Sequence, residues 1–336
     1  MMRLPLRDTS ACRELLDARQ RVGGFVQQRG RSAWRRAVDE GDPVVLLSRW
    51  VTTRPVNRAF FKMLEISTLI GPAQRVLLLC EAPGGFWQAC NLLWPSAQCL
   101  ATSLAHVGAI RFAASLDARD LVALPHDGDL LQLDVIDALI GTLRAEGFAP
   151  DLITADGGAE RESLDLAEQE GLPLLLAQLL CGLSCIAPDG TLVVKAFEGS
   201  LVATCSLYDV VATCFASHSI VKPCTSKQAN SERYLLFQGA NPEAAKCAVD
   251  HLRRAMASFH AGDADPFDSL PRTGQCEPAF DSLATEQSAA IRAIVLADGR
   301  SPSRVEGLKS RRYRTAVAIC ARVDDDRVFV RSATGE

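Results

Sequence analysis

The sequence predicts an α/β protein: a mostly parallel sheet with helices on both faces. Three observations predict it. Continuous apolar runs such as RVLLLC (75–80), DLITAD (151–156) and TLVVKAF (191–197) read as strands buried on both sides. Helical patterns lie between them, so these strands are joined by crossovers and run parallel. The last two strands, SHSIVKP (217–223) and RYLLFQG (233–239), are separated only by a polar loop and therefore pair antiparallel.

Each element follows in order. Residues 11–40 read as one or two helices with arginine on much of the surface; Leu15, Leu16, Val22 and Phe25 supply a partial apolar stripe. From Asn57 the pattern NRAFFKMLEISTLI is helical and stops at Gly71-Pro72. The strand at 75–80 ends in a Gly-rich turn, Glu81 to Phe86, and Trp87 to Trp94 is helical. CLATSL (99–104) is a second strand, with a helix over 105–117 after it. A weak third strand near 121–131 precedes a helix near 134–146. DLITAD, the fourth strand, runs into Gly157-Gly158. Glu168 to Cys185 is a long apolar helix closed by Pro188-Asp189-Gly190, TLVVKAF is the fifth strand, and Leu201 to Phe215 is helical. Beyond Asn241 come a helix (243–259), a Pro/Gly/Asp-rich linker (260–283) and a helix (284–297). AVAICARV and RVFVRS (316–332), joined by three aspartates, alternate as a hairpin does. The chain thus divides into a basic helical N-terminal extension (1–56), an α/β domain (57–240) and a C-terminal extension (241–336).

Composition narrows the function. With 48% hydrophobic and 23% charged residues the 336-residue chain is neither disordered nor collagen-like. Its net charge of −4 argues alone against a nucleic-acid partner. The distribution reverses that inference. Residues 1–60 hold twelve arginines, no lysine and six acids, a net +6, which leaves −10 for the remainder. A basic arm on an acidic body suits a polyanion. The twelve cysteines are scattered without a CxxC pair, and the five histidines form no HxH or HExxH cluster, so no structural metal is expected. Buried thiols and the lack of an apolar N-terminal segment point to an intracellular protein, cytoplasmic or nuclear, of a cell or a virus. The stretch Leu172 to Ala187 is too short and too interrupted to span a bilayer, so no membrane is expected.

In an open α/β sheet, ligands bind beyond the C-terminal ends of the strands. The first strand delivers Glu81-Ala82-Pro83-Gly84-Gly85-Phe86, where paired glycines permit close approach and a helix N-terminus offers free N–H groups. This is not GxGxxG, and the second strand ends in Thr102-Ser103 without a ribose-binding acid, which disfavours a nicotinamide enzyme. The fourth strand delivers Asp156 and the fifth Lys195; a lysine there is costly unless paired or used. Glu232 opens the last strand. Lys62, on the helix before the first strand, reads alone as a solvated residue. Two lysines and two carboxylates in one cleft would perturb each other, with desolvation and a second ammonium lowering a lysine towards neutrality, where it can accept a hydroxyl proton.

CEAPGGF (80–86), ADGG (155–158), GTLVVKAF (190–197), KPCTSKQANSERYLLF (222–237) and NRAFFKMLE (57–65) resemble, in order and spacing, the FtsJ-like ribose 2′-O-methyltransferases. EAPGGF with DGG resembles the mRNA cap enzymes of eukaryotes and large DNA viruses more than the bacterial 23S rRNA branch. The resemblance implies a Rossmann-like class I methyltransferase fold of seven strands, the last antiparallel, and S-adenosylmethionine as cofactor without a metal. It implies a catalytic tetrad of Lys62, Asp156, Lys195 and Glu232, with Lys195 as general base on the ribose 2′-OH. Cofactor contacts would come from Glu81, Ala82, Pro83, Gly84, Gly85, Phe86, Ser103, Asp129 and Asp156. RNA contacts would come from Arg58, Lys222, Ser226, Lys227, Asn230 and Ser231, with the basic arm adding to docking. Two departures stand out: Ser103 where many methyltransferases place a ribose-binding acid, and Lys227 where the family has arginine. The implied substrate is the capped 5′ end of mRNA, with other capping enzymes as candidate partners. An rRNA or tRNA ribose methyltransferase, and an inactive methyltransferase-fold subunit of a capping complex, stay open.

Overall fold

The computed structural model describes residues 4–105, 120–158, 167–297, 302–323 and 327–329. Three helices, α1 (Ser10–Arg29), α2 (Arg31–Asp39) and α3 (Val44–Trp50), precede α4 (Ala59–Ser67). The α/β alternation follows: β1 (Arg75–Leu79), α5 (Gly85–Leu93), β2 (Gln98–Ala101), α6 (Leu133–Ala145), β3 (Leu152–Ala155), α7 (Ala167–Cys185), β4 (Thr191–Ala196) and α8 (Val202–Ala212). The hairpin β5 (Phe215–Val221) and β6 (Arg233–Ala240) closes it, and α9 (Pro242–Ala261), α10 (Glu277–Ala297) and α11 (Pro302–Val323) come last.

Among the described residues the sheet has six strands in the order β2-β1-β3-β4-β6-β5. β2, β1, β3 and β4 are parallel, and β6 pairs antiparallel with both β4 and β5. Both faces are buried, as the continuous apolar runs require. In β1, Val76 and Leu78 join the cluster under α4 and α5, while Leu77 and Leu79 join the larger cluster under α6, α7 and α8. The same period-two split puts Leu235 and Phe237 on one face and Tyr234 and Leu236 on the other. Fully burying each such side chain is worth about 1.5–3 kcal/mol. No helix among the described residues is long and apolar enough to cross a membrane.

Two expectations change. The third strand near 121–131 reduces to one parallel bridge, Leu121 to Ala101. Pro125 lacks a ladder donor, and His126, Asp127 and Gly128 all take positive φ, which no strand tolerates. The seventh strand is therefore absent from the described residues. The segment 316–332 is not a hairpin, because α11 runs to Val323. Its alternation overlaps an i, i+3, i+4 stripe (Ala316, Ile319, Cys320, all buried), and alanine favours helix. Among the described residues of this segment, Phe329 bridges to Val51. The helix expected over 105–117 lies largely outside the described residues.

The extensions are built into the sheet domain. Pro5 and Arg7 exchange backbone hydrogen bonds with Ser200 and Val202. α1 buries Ala11, Leu15, Ala18 and Val22 against Ala284 and Ile291 of α10. α11 packs on α3 and α4.

Candidate active site

Topology brings the charged residues together. Asp156 follows β3, and Lys195 lies in the last turn of the pleat of β4, paired with Tyr234. β6 runs antiparallel, so its first residues, not its last, lie at the same end of the sheet. Glu232 thereby reaches the mouths of β3 and β4 from the loop before β6. Lys62 enters from α4, which covers this face.

Lys62 Nζ donates to Glu232 Oε2 at 2.8 Å and lies 3.8 Å from Asp156 Oδ2. Lys195 Nζ lies 3.1 Å from Asp156 Oδ1 and donates to the Asp156 carbonyl at 2.7 Å. Lys62 is buried rather than solvated, 5% exposed. Burial lowers the Lys195 ammonium, but Asp156 and Glu232 outweigh it and hold it above its ordinary value. The expected depression is therefore missing in this state of the site. Burial alone would raise the Glu232 carboxyl, yet Lys62 and Lys195 hold it at about 2. A Cβ at Gly158 would stand 2.8 Å from Lys195 Nζ, so a side chain there would displace the ammonium.

Two partners escaped the sequence reading. Tyr234 donates to Asp156 Oδ1 at 2.7 Å, and its ring lies 5.7 Å from Lys62 Nζ. Its place two residues after Glu232, on the same face of an alternating strand, was the available signal. Glu65, one helical turn after Lys62, accepts from the Cys224 and Thr225 amides and the Thr225 hydroxyl, and so ties the 224–226 loop to α4.

The turn after β1 adjoins this cluster. Glu81 is buried and accepts from the Trp87 amide at 2.9 Å; burial, opposed by the Trp87 and Phe86 amides, pushes its carboxyl up to about 8. Ala82 N donates to Ser103 Oγ at 3.3 Å. The cis peptide joins Ala82 to Pro83, and Gly84 caps α5 with φ of 108°. Packing requires glycine at Gly85: a Cβ would stand 2.1 Å from Asn57 Oδ1 and 2.9 Å from the Ala59 Cβ. Phe86 is buried and stacks on Tyr234 at 5.9 Å. Asp129 caps the turn into α6 by accepting from Leu131 N at 3.0 Å. Cys80, at the end of β1, feels the charges of Lys195, Asp156 and Asp129 together. Burial pushes that thiol up to about 12, so it stays protonated.

The residues fit a small cofactor with polar edges. Buried beside Glu81, Thr102 Oγ1 and Trp87 Nε1 have no hydrogen-bond partner among the described residues.

The residues expected to meet RNA frame Glu232. Ser226 donates to Glu232 Oε1 at 2.7 Å. Lys222 donates to Asn230 O, Asn230 Oδ1 and Glu232 O, and burial lowers it well below its ordinary value. Arg58 pairs with Asp42 and donates to the Thr225 carbonyl at 2.6 Å. Ser231 accepts from Arg19. Lys227 pairs with Asp39 at 3.1 Å on the outer rim.

Behind the tetrad lies a second charge cluster. Arg19 of α1 pairs with Glu198 at 2.5 Å. Arg233, fully buried, donates to Ser231 O and to Gln287 of α10. Glu168 accepts from the Ser200 and Leu201 amides and Thr204 Oγ1. Burial and neighbouring Glu198 raise its carboxyl to about 7. Arg7, also buried, donates to Gly199 O and pairs with Asp281. The arm's charge is thus partly spent inside the molecule.

Comparison with known proteins follows this geometry. The model of the FtsJ-like methyltransferases matches residues 55–240. A cap-specific mRNA (nucleoside-2′-O-)-methyltransferase 1 from Danio rerio is 31% identical over 150 residues, 43% of this chain and 18% of that protein. A cap-specific methyltransferase 2 from the same fish is 33% identical over 200 residues, 52% of this chain and 26% of that one. A human tRNA (cytidine(32)/guanosine(34)-2′-O)-methyltransferase is 29% identical over 189 residues, 55% of this chain and 54% of that one. The chain therefore spans between a fifth and about half of these relatives.

Proposed function

Because the chain belongs to the FtsJ-like methyltransferase family, we propose that it is an S-adenosylmethionine-dependent RNA ribose 2′-O-methyltransferase acting on the first transcribed nucleotides of capped mRNA. One observation carries the proposal: Lys62, Asp156, Lys195 and Glu232 form a single ion cluster at the strand ends, beside the Glu81–Phe86 turn. The cap-specific relatives support the choice of RNA.

The chemistry follows from the donors. An ammonium has three donor positions, and Asp156 takes two of those on Lys195, through its carboxylate and its carbonyl. The third is left for a ribose hydroxyl. When bound, the cofactor supplies a methyl on a sulfonium, whose positive charge disfavours an ammonium nearby. Lys195 can then give its proton to solvent and accept one from the 2′-OH at Nζ. Lys62, pinned by Glu232, keeps a second positive charge close and opposes reprotonation. Asp156 fixes Lys195 and is itself fixed by Tyr234, so orientation supplies much of the rate. Glu81 to Phe86, Ser103 and Asp129 would hold the cofactor.

Transfer of labelled methyl to short capped and uncapped RNAs, with the modified nucleotide mapped, tests the proposal. Labelling of capped RNA at its first nucleotides is expected. Equal labelling of uncapped or tRNA substrates would overturn the cap assignment. No transfer together with no heat of cofactor binding would make the protein a non-catalytic subunit.

A further inference from the structure

The proposed chemistry leaves α11 without a role. The helix lies outside the family segment and carries Arg304, Lys309, Arg311, Arg312, Arg314 and Arg322 against one acid, Glu306. Six cations less one acid give +5 in 22 residues of a chain whose net charge is −4. Its apolar side packs on α3 and α4, and the cations divide by task. Arg312 donates to the Asp39 carbonyl at 3.5 Å, and Lys309 lies 3.9 Å from Glu40, so both tether α11 to the end of α2. Arg322 lies 3.6 Å from Glu65. Arg311 and Arg314 are exposed and meet no acid among the described residues. At about 100° per residue, Arg311, Arg314 and Arg322 fall within about 80° of the helix circumference, spread over about 16 Å.

This face borders the active-site loop. Arg311 lines one groove with Lys227 and Ser226, between α10, α11 and the α2–α3 turn. Arg311 and Arg322 both act electrostatically on Cys224, two residues from Ser226, the hydroxyl bonded to Glu232. The nearby acids are committed: Asp39 to Lys227, Glu40 to Lys309, Asp42 to Arg58, and Glu65 to Arg322 and the loop amides. The surface therefore carries unmatched positive charge next to the tetrad.

We propose that the arginine face of α11, with Lys227, is a ledge that holds phosphates of the RNA strand whose ribose enters the tetrad. The inference rests on the RNA substrate proposed above and adds where the rest of the strand lies. Arginine meets phosphate in a two-pronged fork, and phosphate contacts fix register without reading sequence. The full chain carrying Arg311→Gln and Arg314→Gln tests it, with Arg311→Lys and Arg314→Lys as the conservative pair and a thermal melt to show folding. Binding of a long single-stranded RNA should weaken, and its log K against log salt slope should fall by about 1.4, at about 0.7 per lost contact. The lysine pair should keep the slope. KM for long capped RNA should rise several-fold, while turnover on a cap dinucleotide stays at the wild-type level. A folded glutamine variant with an unchanged slope, or one that loses turnover on the dinucleotide to the same degree, overturns the ledge. Binding that depends on these arginines without methyl transfer by the wild type supports the ledge and overturns the enzymatic proposal instead.

Discussion

Glu232 and Arg233 are neighbours at the start of β6, yet they belong to two different charge clusters on opposite faces of the strand. The tetrad around Glu232 is bounded by the cleft, and its side chains keep 7–14% of their surface. The cluster around Arg233 is roofed by α1 and α10, with Arg233 at 0% and Glu198 at 3% exposure. Removing charges from water is costly in both places. The first cluster leaves a donor position that opens on the cleft, where a hydroxyl can reach it. The second pairs its charges with one another and with backbone under the two helices, and so joins four segments: α1, the loop after β4, the start of β6, and α10. Arg233 Nε and Glu198 Oε2 stay unpartnered there among the described residues, but they are roofed over. Neither buried charge nor an unfilled donor marks chemistry by itself; an unfilled donor that an incoming group can reach does.

Substitutions can break this contrast. Lys195→Met should lower methyl transfer about 10²–10⁴-fold, the usual worth of a general base, with little change in melting temperature. Single-turnover measurement decides, and a near-normal rate would remove Lys195 from the chemistry. Glu198→Ala should do the reverse, leaving Arg19 and Arg233 without their counter-charge at a cost of about 3–5 kcal/mol. Urea unfolding reads that loss, while the rate per folded molecule should change little. Tyr234→Phe should cost about 1.5–3 kcal/mol, as a hydrogen bond to a charged acceptor, and it should slow transfer because Asp156 loses its anchor. A variant with wild-type rate would show that Lys195 alone positions Asp156.

Proton linkage separates the clusters more gently, with opposite signs. Glu232 is depressed to about 2, so its contribution to stability is present above the ordinary carboxylate range and is lost as pH falls towards 2. Glu168 is raised to about 7, so its contribution is present below that ordinary range and is lost as pH rises through 7. Glu168→Gln should therefore flatten the decline in stability between about pH 5 and 7, and Glu232→Gln should flatten only the acid limb. Denaturant midpoints measured across pH check both; a Glu168→Gln profile parallel to wild type would contradict the raised carboxyl.

Much of the fold was legible because strand burial is written in runs of like residues. RVLLLC, DLITAD and TLVVKAF became β1, β3 and β4, and the polar loop before RYLLFQG made β6 antiparallel. The charged residues were legible as positions at strand ends, but not as states: Lys62 proved buried, and Lys195 is raised rather than lowered. Three features were hidden for physical reasons. AVAICARV satisfies both periods, and its partners on α3 and α4 decided for helix. Gly85 reads like a ligand glycine, yet the neighbour it accommodates is Asn57, nearly thirty residues earlier. The arginines of the N-terminal arm looked like a solvated face because Glu198, Asp281 and Glu277, which pair with Arg19 and Arg7, lie far along the chain.

That last separation bears on how the molecule is made. Arg7 and Asp281 are 274 residues apart, and the buried residues that α1 packs Leu15 and Val22 against, Ala284 and Ile291, lie on α10. At about 5–20 residues per second, that delay is roughly 15–55 s on the ribosome. Until then α1 lacks its main apolar cover, and the sheet can close before α1 and α10 meet. α1 is thus a late clasp, set only once α10 exists. A nascent chain cut short before α10 should expose α1 to proteases while protecting the strands.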